Sequence, residues 1–291
     1  STAGLADDTR IQVQVAFGKK QGTATINEFD DKSIERAVRR AEDLARLAPD
    51  NPEFIPAIAK TAYKPSDTFV QKTADIDPEY RAQAAAYAIE GCRKRGLVSA
   101  GFFTDRTSFE TIANSNGLFG HQVATSLDFT LTVRTEDGRG SGWVKRSARD
   151  VAKFDPREAA EIAIEKALRS VDAKALEPGR YTVIMEPAAT SDLLSFMLGG
   201  FDARRADEGR SFLSKAGGKN RLGDKLFDQQ VNIWSDPWDK DVAVLPWDDN
   251  MLPRERVELV KDGKINALDY SRFWAQQKNQ RAVGAAGNII M

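Results

Sequence analysis

An α+β fold, with antiparallel sheets and helices grouped into two domains, is what this sequence predicts. Three observations carry that reading. Hairpin dipeptides recur at Asn116-Gly117, Asp137-Gly138 and Asp262-Gly263, each between strand-like segments, because these residues tolerate positive φ. The helical segments are few and unevenly spaced, so no strand–helix alternation is available to build a parallel sheet. The chain is globular in composition, 41% hydrophobic and 29% charged, and at about 150 residues per domain its 291 residues make two domains the prior.

The elements follow in order. Ile11, Val13, Val15 and Phe17 alternate with Gln12, Gln14 and Ala16, the period of a half-buried strand, and Gly18-Lys-Lys-Gln-Gly22 turns it into a hairpin. Asp30 or Asp31 caps a helix to about Ala48, with Ile34, Ala37, Val38, Ala41, Leu44 and Ala45 on its apolar stripe. Pro49, Pro52, Pro56 and Pro65 mark an irregular connection. Asp77-Pro78-Glu79 opens a second helix, aspartate at the cap and proline in the first turn, ending by Gly96. Strands are expected at 97–104, 107–114, 118–134 and 140–145, the first two joined by Asp105-Arg106. Asp155-Pro156 opens a third helix to about Ser170, packing through Ala159, Ala163, Ile164 and Ala167. Val171-Asp-Ala-Lys-Ala-Leu-Glu-Pro-Gly179 is the best boundary, giving an N-terminal α+β domain at 1–174 and a strand-rich C-terminal domain at 175–291. There a strand is expected at 181–186, a helix from Thr190 to about Ala203, strands at 229–234 and 241–245, and a hairpin about Lys261-Asp-Gly263. Residues 270–277 fit a helical turn or a strand. No tandem repeat or low-complexity tract is present.

His121 and Cys92 are the single histidine and the single cysteine, which narrows the chemistry. A catalytic zinc takes three protein ligands, usually from His, Cys and carboxylates, so a histidine-based zinc site cannot be assembled within one chain. His121 lies in a strand-like run and reads as a strand histidine with a hydrogen-bond partner. The balance of 42 basic and 43 acidic residues carries no nucleic-acid footprint. No apolar run approaches the ~20 residues that span a bilayer, and Ser1-Thr-Ala-Gly-Leu-Ala-Asp-Asp is not a secretory signal. One cysteine excludes an internal disulfide, so a cytoplasmic protein is expected. Both ends are expected to continue in a longer natural protein, because a strand begins almost at once and Gly287-Asn-Ile-Ile-Met291 stops without a cap or polar tail.

Other candidates have plainer readings. Gly138-Arg-Gly-Ser-Gly142 looks like a phosphate loop, but a strand follows it rather than a helix N-terminus. Asp236 and Asp248-Asp249 are carboxylates suited to a hard cation, yet without a twelve-residue calcium loop they read as turn residues. Ser214-Lys215 and the Lys145, Arg146, Arg149 cluster read as solvated surface. Trp234, Trp238, Trp247 and Trp274 crowd the last third, where shared core is the better reading than a groove.

A series of motifs nevertheless resembles a known family. Glu177-Pro-Gly-Arg-Tyr-Thr-Val-Ile-Met-Glu-Pro187 is followed by Glu208-Gly-Arg-Ser-Phe-Leu-Ser214, Ser235-Asp-Pro237 and Trp247-Asp-Asp-Asn-Met-Leu-Pro-Arg-Glu-Arg256. Then come Leu259-Val-Lys-Asp-Gly-Lys-Ile-Asn-Ala-Leu268 and Gly284-Ala-Ala-Gly-Asn288, while Gly22-Thr-Ala-Thr-Ile-Asn27 precedes the first helix. This order is similar to the TldD/PmbA family of candidate zinc metallopeptidases, also named modulators of DNA gyrase. The resemblance implies a two-domain α+β protein that works as a dimer. One branch, TldD, carries a zinc-binding His-Glu-x-x-x-His helix; the other, PmbA or TldE, lacks it and partners the first.

In this chain the corresponding helix reads Thr190-Ser-Asp-Leu-Leu-Ser-Phe-Met-Leu-Gly-Gly-Phe201, and, counting back from Ser211-Phe-Leu-Ser214, the metal positions fall near Leu194, Ser195 and Gly199. None of the three can do zinc chemistry. The family's Asp-Asp-Glu-Gly pattern is altered to Asp248-Asp-Asn-Met251, and the family runs on past Asn288. The resemblance therefore implies a PmbA-like chain with no catalytic residue and no metal of its own. Zinc is expected in a TldD-type partner, with a zinc-bearing subunit or a second copy as the other half of the dimer. Peptide is the expected substrate, with no direct nucleic-acid or membrane contact. Two alternatives stay open: a metallopeptidase in its own right with ligands outside this segment, and a binding protein that modulates DNA gyrase.

Overall fold

The computed structural model describes residues 4–291. The chain divides into two compact units at Ala57/Ile58. In the first, β1 (Ile11–Phe17) and β2 (Lys20–Ile26) form the antiparallel hairpin. Helix α1 (Asp31–Leu47) buries Ala37 and Ala41 against Ala24, Val13, Val15 and Ile26. Its cap is Asp30, whose Oδ1 accepts from Ser33 N–H at 3.0 Å, so one orphan donor of the first turn is satisfied.

The second unit opens with α2 (Gln71–Ala74) and α3 (Pro78–Arg93), then β3 (Leu97–Ala113), β4 (Phe119–Thr135), β5 (Ser141–Ala148) and α4 (Pro156–Arg169). Asp77 caps α3 through Tyr80 N–H, and Asp155 caps α4 through Arg157 and Glu158 N–H, each with proline in the first turn. The three strands make one antiparallel sheet in the order β3-β4-β5, and β3 and β4 pair without a register break over 17 residues each. Leu127, Phe129, Leu131, Val133 and Val144 point to one face, where they meet Ala159, Ala163, Ile164 and Ala167 of α4 and Ala88 and Cys92 of α3.

The far half of the β3–β4 ribbon is covered on its opposite face. A Cβ at Gly120 would stand 3.0 Å from Trp247, 3.1 Å from Ile112 and 3.2 Å from Tyr63. Successive strand residues alternate faces, so one ribbon carries a helix layer on one side near α4 and a tryptophan layer on the other side near its tip. The remaining chain holds α5 (Pro187–Leu198), α6 (Ala203–Asp207) and α7 (Arg272–Gln277). Between α6 and α7 lie the short strands β6 (Ser214–Lys215), β7 (Lys219–Asn220), β8 (Ile233–Ser235), β9 (Val257–Lys261) and β10 (Lys264–Ile265). Phe201, Leu213, Ile233, Leu259, Val260 and Ile265 form their core.

Three local expectations give way. Asp105-Arg106 is not a turn: β3 runs straight through it, and Asp105 takes an ion pair at 2.8 Å from Arg81 of α3. Residues 181–186 form no strand, although Tyr-Thr-Val-Ile-Met has strand propensity. Propensity becomes a strand only with a ladder partner, and no described residue pairs with this stretch, which lies exposed. Residues 241–245 likewise stay irregular. Among the described residues, no helix is long and apolar enough to cross a membrane.

Candidate functional site

Helix α5 and its C-cap hold the positions where the resemblance puts the metal chemistry: Leu194 and Ser195 lie in the helix, and Gly199 caps it. Pro187 starts it, and Gly199-Gly200 lets the chain turn so that Phe201 enters the core. Leu194 and Leu198 pack against that core, so Leu194 faces inward. Ser195 is exposed, and its hydroxyl donates to Ser191 O of the preceding turn at 2.9 Å. Gly199 lies one turn beyond Ser195 and is exposed; a Cβ there would stand 3.7 Å from Nη1 of Arg205. Ser195 and Gly199 share a face, and Leu194 sits about 100° round the helix.

A zinc ion does not fit these residues. Leucine and glycine have no donor atom, and the one hydroxyl is bonded to its own helix. Among the described residues, no group of three or more His, Cys, Asp and Glu side chains is arranged to hold a metal ion. Nucleophilic chemistry at Ser195 needs a neighbouring base, and its hydroxyl proton points at a backbone carbonyl instead. What the helix does present is apolar surface: Leu193 is 52% and Phe196 87% exposed.

The other motif residues converge on a polar scaffold that the sequence order does not reveal. Asp248 is buried, and its carboxylate accepts three backbone N–H groups, from Asn250 and Leu252 at 2.9 Å each and from Ala285 at 3.1 Å. Arg254 reaches the same strip of chain, donating to Ala285 O at 2.8 Å and Leu245 O at 3.0 Å. Burial lowers the Arg254 pKa, opposed by the charges of Asp248, Asp249 and Glu110. Asn288 ties down the turn at Ser235-Asp236: its Oδ1 accepts from Ser235 Oγ at 2.8 Å and Asp236 N–H at 2.9 Å. The turn reading of Asp248 and Asp236 therefore fits the structure, with Asp236 accepting from Trp238 N–H at 3.0 Å.

One half-buried carboxyl escapes sequence reading. Asp269 has its pKa raised, first by desolvation, against a lowering hydrogen bond from the Ala286 backbone, with the charges of Asp202 and Asp248 adding to the rise. Asp207 goes the other way: burial raises it, but hydrogen bonds from Asn220, Trp274 and Lys278 outweigh burial and lower it. Both are held by long-range packing, so no local motif marks them. His121 is an exposed strand residue with Nδ1 2.8 Å from Thr111 Oγ1 across the β3–β4 ladder.

Comparison with known proteins agrees with the order of these motifs. The chain matches three consecutive domains of the PmbA/TldA metallopeptidases: domain 1 over residues 1–45, the central domain over 27–171 and the C-terminal domain over 178–290. It is 20% identical to metalloprotease PmbA of Escherichia coli O157:H7, over 97% of this chain and 64% of that protein. It is 24% identical to a metalloprotease of Methanothermobacter thermautotrophicus, over 81% of this chain and 52% of that protein. The chain thus spans less than two thirds of the length of these curated relatives. Its fold is that of TldE from Thermococcus kodakarensis, with a TM-score of 0.83 at 17% identity over 98% of this chain and 65% of that one. It is also that of a candidate modulator of a DNA gyrase from Thermotoga maritima, with a TM-score of 0.84 at 19% identity over 96% of this chain and 64% of that one. The chain belongs to the PmbA/TldD metallopeptidase family.

Proposed function

We propose that this chain is the PmbA/TldE-like, non-catalytic subunit of a zinc peptidase assembly that degrades or processes peptides. The zinc and the general base belong to a TldD-type partner chain, and this chain holds peptide on an apolar surface. The observation behind this reading is helix α5 with its C-cap, where Leu194, Ser195 and Gly199 offer a single hydroxyl, bonded to Ser191 O. The helix instead exposes Leu193 and Phe196. The reading puts the assembly in the cytoplasm, where the single buried thiol of Cys92 stays reduced. Residues 1–174 and 175–291 act as separate functional domains in it, which the family boundaries at 171 and 178 support.

A second reading, a metallopeptidase in its own right, draws support from the length of the relatives, since this chain spans 64% of the Escherichia coli protein. Elemental analysis separates the two. The purified full-length protein, dialysed after zinc exposure, is expected to hold far less than one zinc per chain. About one zinc per chain, the stoichiometry of a built site, favours the second reading.

A further inference from the structure

The β3–β4–β5 sheet has two faces, and the second is only partly covered. The face that carries Leu127, Phe129, Leu131 and Val133 packs against α3 and α4. On the other face the tip of the ribbon lies under Trp247 and Tyr63, and the wide three-stranded end is left open. A sheet face that meets water normally carries the polar half of an alternating strand. This one does not. Even-numbered residues of β4 point away from the helices, because successive strand residues alternate faces. Residues directly opposite in the ladder share a face, so Val98 joins Arg134 there, Phe102 joins Thr130 and Trp143 joins Thr132. Phe102 is 69%, Val98 57% and Trp143 41% exposed. Contiguous exposed apolar surface of this kind marks an interaction site.

The shape selects the occupant. Phe102 on β3 and Trp143 on β5 stand about 10 Å apart across the strands, two strand spacings, with the shorter Thr130 and Thr132 of β4 between them. The result is a valley along β4. An α-helix is about 10 Å across with its side chains, and one row of those side chains seats in such a valley. β4 is already bonded on both sides, by β3 and β5, so this face offers no main-chain hydrogen bonds. A segment lying on it has to satisfy its own backbone groups, which a helix does and a lone strand does not.

The charges select its composition. Arg134 at one end of the valley, Lys145 beside Thr130 and Arg106 toward the tip are exposed, and no described residue forms an ion pair or hydrogen bond with their side chains. By contrast, Arg39 and Arg46 of α1 are paired with Glu42 and Asp43. The acid on the open face, Asp128, accepts a hydrogen bond from Ser147 Oγ across the ladder. We propose that this face docks an acidic amphipathic helix of another polypeptide, with its apolar stripe between Phe102 and Trp143 and its carboxylates on Arg134, Lys145 and Arg106.

A single-stranded nucleic acid also stacks on aromatic side chains, but it takes a positive groove along its whole backbone. Asp128 interrupts this one, and the chain carries a net charge of −1. The docking does not depend on the peptidase reading: a chain that never supports cleavage still takes the helix.

Fluorescence anisotropy with the full chain tests it. The first probe is a labelled, lactam-stapled helix with leucine at i, i+4, i+7 and i+11, the spacing of groove-binding anchors, and glutamate at most other positions. A second probe has the same composition with the leucines spread round the helix, a third has lysine for glutamate, and an oligothymidylate stands for nucleic acid. The first probe is expected to bind. Phe102→Thr with Trp143→Thr is expected to weaken it about tenfold or more, the usual effect of truncating anchoring aromatics. Arg134→Glu with Lys145→Glu is expected to weaken the first probe and strengthen the third. Phe109→Thr, exposed on the opposite face at the tip, is expected to change neither. All five positions are exposed, so the variants leave the core intact. No binding of the first probe, equal binding of the second, or tighter binding of the oligothymidylate overturns the proposal. So does a changed oligomeric state in the Phe102→Thr, Trp143→Thr protein, which would put a second copy on this face.

Discussion

Gly142→Ala is expected to destabilise the second unit by about 3 kcal/mol or more, the upper range for forcing an atom into a packed core. A Cβ at this position falls inside contact distance of Ala163 O and Ala167 N of α4, and 2.8 Å from Lys166 Cβ. Two of these atoms are helix backbone and cannot swing aside as a side chain does. The close approach is made by small residues on both sides: Gly142 on β5, and Ala159, Ala163 and Ala167 on α4. Separating helix from sheet would loosen Leu131, Val133 and Val144 together. Gly138→Ala is the control. Its φ is +72°, so it carries left-handed strain of about 1–2 kcal/mol, but no atom lies within 4 Å of the added carbon. Denaturant unfolding of both variants checks the difference, and a Gly142→Ala loss no larger than that of Gly138→Ala contradicts the packing account.

Asp248→Ala is expected to cost about 3 kcal/mol, since each buried donor left without an acceptor costs roughly 1–3 kcal/mol and water can reach some of them. The aspartate is the shared acceptor for Asn250, Leu252 and Ala285 N–H, which ties a turn to a segment 37 residues downstream. The substitution also removes the foremost countercharge of the desolvated Arg254. Asp248→Asn keeps one side-chain carbonyl for the two turn donors and is expected to cost about 1 kcal/mol, the worth of one ordinary hydrogen bond. Thermal or denaturant melts rank the three proteins. Asp248→Ala as stable as wild type sinks the idea that this carboxylate holds the C-terminal motifs together.

The elements legible in the sequence are those whose signals are local. Asp77 and Asp155 announce their helices because the capping carboxylate and the first-turn proline sit within three residues of the donors they serve. Lys261-Asp-Gly263 announces its hairpin because Asp262 and Gly263 both adopt positive φ, at 50° and 74°. Asp105-Arg106 misleads because its neutralising partner, Arg81, lies on another element. Residues 181–186 mislead in the opposite sense, with strand propensity but no ladder partner among the described residues.

The candidate site divides in the same way. The order of the C-terminal motifs marks the family, and the proposed loss of metal chemistry rests on the identities at Leu194, Ser195 and Gly199. What each motif does structurally is not visible there. Asn288 reaching Ser235 and Asp236, or Arg254 reaching Ala285, spans tens of residues and depends on how the chain packs. Asp269 has no motif at all, because its shift comes from burial and from two carboxylates brought near it by the fold.

The non-catalytic reading is tested most directly by one comparison: chelator-sensitive peptide cleavage by this protein alone, by its zinc-bearing relative alone, and by the two mixed. The account predicts no cleavage by this protein alone and cleavage by the mixture well above that of the relative. Chelator-sensitive cleavage by this protein alone, with mass spectrometry finding no partner chain, contradicts it, as does a mixture no more active than the relative by itself.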